Sequence, residues 1–215
     1  MAATASVHKN VPTSFSFDLP AWVPSFLSSY PTETLSSDEE KMRFVLALCR
    51  KHVEEKTGGP FSAALFERGS NRLLAVGLNL VVPASSATLH AEIVAFNLGG
   101  RAVGSFDLAS GGHNVELVSS TEPCAMCGGA TAWSGVTRLV CGARDADARA
   151  AGFDEGHKPK DWREGLVKRG VEVAVDVCRD EAAAVLMAYI DGDGVVYNAG
   201  TIADMDGALP PSLAQ

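Results

Sequence analysis

The sequence predicts an α/β fold, a three-layer α/β/α sandwich built on a five-stranded mixed sheet. Three observations carry this. Segments with strand character alternate with segments at helical spacing through the body of the chain. Gly69-Ser70-Asn71 is a turn between two strand-like runs and predicts an antiparallel hairpin. A helix-length segment separates the third strand from the fourth, which makes that pair parallel, and alternation of this kind puts helices on both faces of the sheet.

In order along the chain, residues 1–35 are rich in Ser, Thr and Pro. They hold Phe15, Phe17, Trp22, Phe26 and Leu27 without a clear period. They read as an N-terminal extension, disordered over the first dozen residues, with its aromatic part folded over the body or a neighbouring subunit. A body spans 36–198. Ser37-Asp38-Glu39-Glu40 is a capping box, and Met42, Val45, Leu46, Cys49 and Val53 follow at helical spacing to about Lys56, where Gly58-Gly59-Pro60 stops the helix. Phe61 to Phe66 and Leu73 to Leu78 are the hairpin strands, and a helix runs from Leu89 to Leu98. Val115 to Ser119 is the third strand, a helix continues to about Trp133, and Thr137 to Cys141 is the fourth strand. A short helix after Gly142, a helix around Trp162 to Lys168, a fifth strand at Val171 to Val175 and a last helix at Glu181 to Ile190 complete the body. Residues 199–215, with Leu209-Pro210-Pro211-Ser212, read as a flexible tail.

Composition narrows the function classes. With 215 residues, 47% of them hydrophobic, the chain can build one core with appendages. It carries no long apolar run and no signal-like start, so a soluble cytoplasmic protein is expected. The net charge is −8 with only 18 Lys and Arg and no basic run, which argues against docking on nucleic acid. Of the five cysteines, Cys49, Cys141 and Cys178 lie in apolar contexts and read as buried reduced thiols.

Two motifs carry chemistry. His90-Ala91-Glu92 and Pro123-Cys124-Ala125-Met126-Cys127 together offer three zinc ligands, His90, Cys124 and Cys127, and one unligated carboxylate, Glu92. Three protein ligands leave a tetrahedral position free for water, as a catalytic zinc site needs, and zinc lowers the pKa of such a water from about 15.7 to about 7. Glu92, in the first turn of its helix, is placed to carry the proton. Pro123 suits a helix start, where the orphan N–H groups and the dipole favour thiolates. Taken singly, the Cys pair could be a thioredoxin-like redox motif or part of a structural zinc site, His90 a core histidine and Glu92 a solvated helix residue. The combination reads as a zinc-dependent deaminase.

On these residues the chain resembles the cytidine deaminase-like zinc superfamily, in the branch that holds guanine deaminases and tRNA adenosine deaminases. The resemblance runs from about Gly58 to Asn198. It includes Gly59-Pro60-Phe61, Asn79, and Glu122 through Cys127 followed by Gly129-Ala130. It also includes Gly165-Leu166, Gly170-Val171 and Gly194 through Asn198. Gly152-Phe153-Asp154-Glu155-Gly156 is similar to the G-F-D-[DE] stretch of guanine deaminases, whose last carboxylate is a second acid in the site. The resemblance implies hydrolysis of guanine to xanthine and ammonia by a homodimer with one zinc per subunit. Two carboxylates suit that chemistry, because a ring nitrogen and the departing amine each need a proton. It assigns Glu155 as the second acid, with Asp154 as the alternative carboxylate, Asn79 as a hydrogen-bond partner of the purine edge, and Phe61 or Trp133 as ring-packing residues; as aromatics of an α/β body those two could equally be core. Two departures from the family pattern, Leu89 before the H-A-E and His157-Lys158-Pro159-Lys160 after Glu155, are expected to reshape the pocket. They keep a nucleoside, ammeline, a pterin or a modified purine open as substrates. A tRNA adenosine deaminase and a zinc-binding relative without activity are the other readings.

Overall fold

The computed structural model describes residues 11–32 and 35–198; the readings of the first ten residues and of 199–215 lie outside them. The elements are α1 (Val23–Ser29), α2 (Asp38–Glu54), β1 (Gly59–Glu67), β2 (Leu73–Asn79), α3 (Ala91–Val103), β3 (Val115–Thr121), α4 (Ala125–Ser134), β4 (Arg138–Ala143), α5 (Asp145–Ala150), α6 (Trp162–Val167), β5 (Glu172–Ala174) and α7 (Arg179–Asp191). The sheet order is β2-β1-β3-β4-β5. β1 is antiparallel to both neighbours, while β3, β4 and β5 are parallel, so the sheet is mixed as predicted.

Strand alternation splits the core into two layers. Ala64, Phe66, Val118 and Val140 pack with Phe44, Val45 and Leu48 of α2 and Ala182 and Leu186 of α7. Their neighbours Ala63, Leu65, Leu117 and Leu139 pack with Ala91 and Ala95 of α3 and Leu166 of α6. α2 starts with the predicted capping box: Ser37 Oγ accepts from Glu40 N at 3.2 Å, and Glu40 Oε2 accepts from Ser37 N at 3.0 Å. Such a cap stabilises a helix by about 1 kcal/mol.

α1 is an element the sequence reading did not contain. Trp22, Phe26 and Tyr30 are four residues apart and share a face, but two turns that begin at Val23-Pro24 and are flanked by Pro20 and Pro31 are too short to show a period. That face closes over α2, with Tyr30 and Phe44 ring centroids 4.9 Å apart and Trp22 6.4 Å from His52. β5 is also shorter than predicted. Cys49 and Cys141 are buried, whereas Cys178 is only half-buried, at a positive φ of 52° before α7.

At the far end of the sheet from the functional motifs, buried Lys41 pairs with Glu116, which also accepts from Arg138 at 3.0 Å. At the motif end, α3 lies directly on β2. A Cβ on Gly77 would come 1.9 Å from Ala91 O and 2.6 Å from Ala95 N, so only glycine lets the helix approach this closely.

Candidate active site

The site lies where β2 ends at Asn79, β3 ends at Thr121, and α3 and α4 begin. Ligands at the carboxyl ends of strands are a general feature of open α/β sheets. His90 and Cys124 occupy the cap positions before α3 and α4, both with extended backbone. The predicted H-A-E helix therefore starts two residues later than Leu89, at Ala91, and Glu92 is its second residue. Cys127 completes the first turn of α4. Two helix N-termini thus converge on one point, and their positive ends favour anionic side chains there.

The ligand atoms of His90, Cys124 and Cys127 all lie within 4.8 Å of one another, with Cys124 Sγ and His90 Nδ1 3.4 Å apart. Donors at zinc distances of about 2.0–2.3 Å in a tetrahedron stand about 3.5–3.8 Å from each other, so this triangle needs little adjustment to close on an ion. The donor chemistry points the same way. Hydrogen bonding from Cys127, then from His90, holds the Cys124 thiol down to about 4. The thiol of Cys127 is pushed up by its bond to Cys124 and by burial. Burial and the Cys124 charge raise the Glu92 carboxyl, and Glu155 is pushed up to about 8 by burial and then by the charges of Cys124 and Glu92. Four groups that repel one another's negative charge are gathered in one buried volume, which is the situation a divalent cation relieves.

A cavity of about 190 Å³ opens beside this cluster. His90, Glu92 and Cys124 form one wall, and Asn79, Asp154 and Glu155 contribute polar groups. Phe61 and Phe153, ring centroids 4.9 Å apart and edge to face, supply an apolar wall with Tyr197. Of the neighbouring carboxylates, Glu155 is 5% exposed, while the Asp154 side chain is 44% exposed at the rim and accepts from Gly156 N. Ser119 and Thr121 also face the cavity, at alternate positions of β3, and Thr121 Oγ1 is buried without a hydrogen-bond partner among the described residues.

The segment that carries Glu155 is tied down from several sides. Ala125 N donates to Glu155 O at 2.9 Å, and Asn198 bridges it by accepting from Asp154 N and donating to Gly152 O. Lys158 donates to Pro123 O at 3.1 Å, ion-pairs with Asp145 and buried Glu122, and lies 4.8 Å over the Trp162 ring. Glu122 also accepts from Arg163 and from Asp145 N. Lys158 thus ties the segment after Glu155 to Pro123 and to the Glu122 and Asp145 carboxylates.

Two predicted site features are not at the cavity. Trp133 is 78% exposed, because Cys127, Thr131 and Ser134 form the buried face of α4 and Trp133 projects from the other side. Leu89 is buried in the hydrophobic core rather than on the cavity wall. Conversely, Phe153, Tyr197, Asn198, Ser119 and Thr121 line the cavity without having been predicted to. The period-two pattern of β3 running into Pro123 could have revealed Ser119 and Thr121, whereas the return of Tyr197 and Asn198 is a tertiary feature with no local signal. Among the described residues no helix is long and apolar enough to cross a membrane.

Comparison with known proteins agrees with this geometry. The model of the cytidine and deoxycytidylate deaminase zinc-binding region matches residues 35–143. The crystal structure of a guanine deaminase from Nitrosomonas europaea is 42% identical, with a TM-score of 0.77 over 83% of this chain and 97% of that one. A similar structure, 41% identical with a TM-score of 0.76 over 82% of this chain and 97% of the other, is a complex with 8-azaguanine. Guanine deaminase of Bacillus subtilis is 32% identical over 117 residues, 54% of this chain and 71% of the relative. A tRNA-specific adenosine deaminase of Haemophilus influenzae is 36% identical over 115 residues, 54% of this chain and 63% of the relative. With a His-Cys-Cys triangle at two helix starts, a buried glutamate beside it and a family match over half its length, the chain belongs to the cytidine and deoxycytidylate deaminase zinc-binding family.

Proposed function

We propose that this protein hydrolyses guanine to xanthine and ammonia, with zinc held by His90, Cys124 and Cys127. The observation that carries the reading is the pair of buried carboxylates, Glu92 and Glu155, facing one cavity beside that triad. When bound, zinc supplies an acidified water for attack on the amino-bearing ring carbon. The residues do the rest. Glu92, its pKa raised by burial, takes a proton and passes it to the ring nitrogen. Glu155, pushed up first by burial, carries the proton that the leaving amine takes and recovers one from the added hydroxyl as the new carbonyl forms. Exposed Asp154 is poorly placed for that role.

Asn79 presents a donor to the purine edge. Its Oδ1 accepts from Val81 N at 3.3 Å, which leaves the amide Nδ2 for a ligand. Phe61 and Phe153, in contact with each other, offer one apolar wall for a face of the ring. At about 190 Å³ the cavity falls below the roughly 300–1,000 Å³ of sites for drug-sized ligands, which suits a free base better than a nucleoside.

Residues 36–198 form the deaminase body, and the reaction belongs to purine breakdown. A homodimer is supported by Trp133 on α4 and Phe106 in the segment after α3, 78% and 95% exposed. Five free cysteines fit a reducing compartment such as the cytoplasm. The Haemophilus relative favours a second reading, tRNA adenosine deamination, against which stands the net charge of −8. Ammonia release from guanine, guanosine, adenine, cytosine, ammeline and tRNA, assayed in parallel with the zinc-loaded protein, separates these readings. Turnover of guanine with little from the others is expected, and turnover confined to tRNA overturns the proposal.

A further inference from the structure

The deaminase reading leaves the N-terminal aromatic segment and the fully buried His52 without a role. Neither lines the cavity. They are nevertheless joined to it by a chain of hydrogen bonds whose directions follow from a neutral His52 ring, with His52 O, 3.3 Å from the Thr57 hydroxyl, as a second acceptor for that group. The carbonyl oxygen of Asn79 can only accept, so His52 Nε2, 2.9 Å away, carries the hydrogen. In the neutral ring Nδ1 is then an acceptor, and its partner at 2.6 Å is the Thr57 hydroxyl. That hydroxyl, having donated to His52, accepts at 3.2 Å from the indole N–H of Trp22, a group that can only donate. Burial lowers the His52 pKa, in keeping with the neutral ring.

The chain is tightly enclosed. A Cβ on Gly58 would stand 2.2 Å from Asn79 O and 2.3 Å from His52 Nε2, so position 58 admits no side chain while the His52–Asn79 bond is in place. Asn79 also pairs with Gly59 of β1, and its Oδ1 is committed to Val81 N. With its carbonyl held by His52, outside the cavity, and its side-chain oxygen held by Val81 at the cavity edge, the Asn79 amide is oriented by protein partners on both sides.

We infer that His52 and Thr57, locked by Trp22 of the N-terminal segment, are positioning residues that aim the Asn79 amide at the base. α1 thereby contributes to substrate affinity from outside the site. The inference rests on the reading of Asn79 as a contact to the base. It extends that reading to three residues that touch no substrate.

The test is steady-state deamination of guanine, with 8-azaguanine affinity measured alongside, for Thr57→Val, Thr57→Ser, Trp22→Phe and Asn79→Ala, and for Thr57→Val combined with Asn79→Ala. Trp22→Phe removes the donor and also trims the indole that packs on Phe26 and His52, so melting temperature is read alongside the kinetics. Thr57→Val and Trp22→Phe are expected to raise KM and the 8-azaguanine Kd roughly 3- to 10-fold, with kcat within about twofold, and Thr57→Ser is expected to restore wild-type values. In the Asn79→Ala background Thr57→Val is expected to have no further effect on KM, because the group it aims is gone. A lowered melting temperature with unchanged KM and Kd in Thr57→Val and Trp22→Phe, while Asn79→Ala weakens both, overturns the inference and leaves the Asn79 reading standing. An equal rise in KM with and without the Asn79 side chain also overturns it. Unchanged KM and Kd in Asn79→Ala overturn the Asn79 reading, and the inference with it.

Discussion

The amide of Ala125, the residue after Cys124, donates a 2.9 Å hydrogen bond to the carbonyl oxygen of Glu155. The loop that carries the second carboxylate is thereby mounted on the first turn of the helix that carries the two thiols. Lys158, on the far side of the same loop, reaches back to Pro123 O. The separation between the His90–Cys124–Cys127 triangle and the Glu155 carboxyl is thus held by one backbone and one side-chain hydrogen bond, a rigidity that the proposed proton transfer requires.

Glu155→Gln should lower kcat on guanine by about 10²- to 10⁴-fold, the usual contribution of a positioned acid or base, without changing zinc content. Asp154→Asn should stay within a few-fold of wild type, since that side chain is at the rim. Steady-state xanthine formation together with metal analysis checks both.

In the metal-free protein the Glu155 carboxyl is raised from the ordinary 4.5 to about 8, so the folded state holds this proton more tightly than the unfolded chain. The resulting stabilisation is complete below about 4.5 and is lost as pH rises through about 8. Urea midpoints of the metal-free protein should fall between about pH 5 and about pH 8, and Glu155→Gln should remove that part of the decline.

Zinc removal should destabilise the fold, because the triad joins the starts of α3 and α4 and binding to the native state alone adds stability. At a free-metal concentration of about 1,000 Kd the gain is about 4 kcal/mol. Chelation should lower the melting temperature, and added zinc should restore it. Cys127→Ala should show the low value with and without zinc.

Gly77→Ala should push α3 away from β2, since the new Cβ would sit 1.9 Å from Ala91 O. A stability loss of about 1–3 kcal/mol is expected from overpacking of this kind. Because α3 carries Glu92, kcat should fall more steeply than in a core variant of equal stability cost, such as Leu186→Ala on α7. Parallel urea unfolding and kinetics provide the check.

Much of this molecule is legible in its sequence because the informative residues are local. His90 and Glu92 straddle the start of α3, and Cys124 and Cys127 straddle the start of α4, so each motif reports a helix start from neighbouring residues alone. The hairpin, the parallel β3–β4 pair and the capping box at Ser37 are local or nearest-neighbour features as well. What the reading missed depends on long-range packing. Trp22, Phe26 and Tyr30 form a helical face only two turns long, which proline-rich surroundings hide. Trp133 shares α4 with the thiols, and its direction follows from which face of that helix meets the sheet. Leu89 becomes core because α3 begins after it. Tyr197 and Asn198 reach the cavity from the end of the body, and the His52 chain runs through four residues spread over 58 positions. No periodicity records such contacts.

In the proposed reaction Glu92 moves protons beside a zinc held by His90, Cys124 and Cys127 in a site for guanine. The most direct test is xanthine formation from guanine by wild type and Glu92→Gln at equal zinc occupancy. We predict ready turnover by wild type and a loss of at least about 10²-fold in the variant with its metal retained. Comparable turnover by the two proteins would contradict the account.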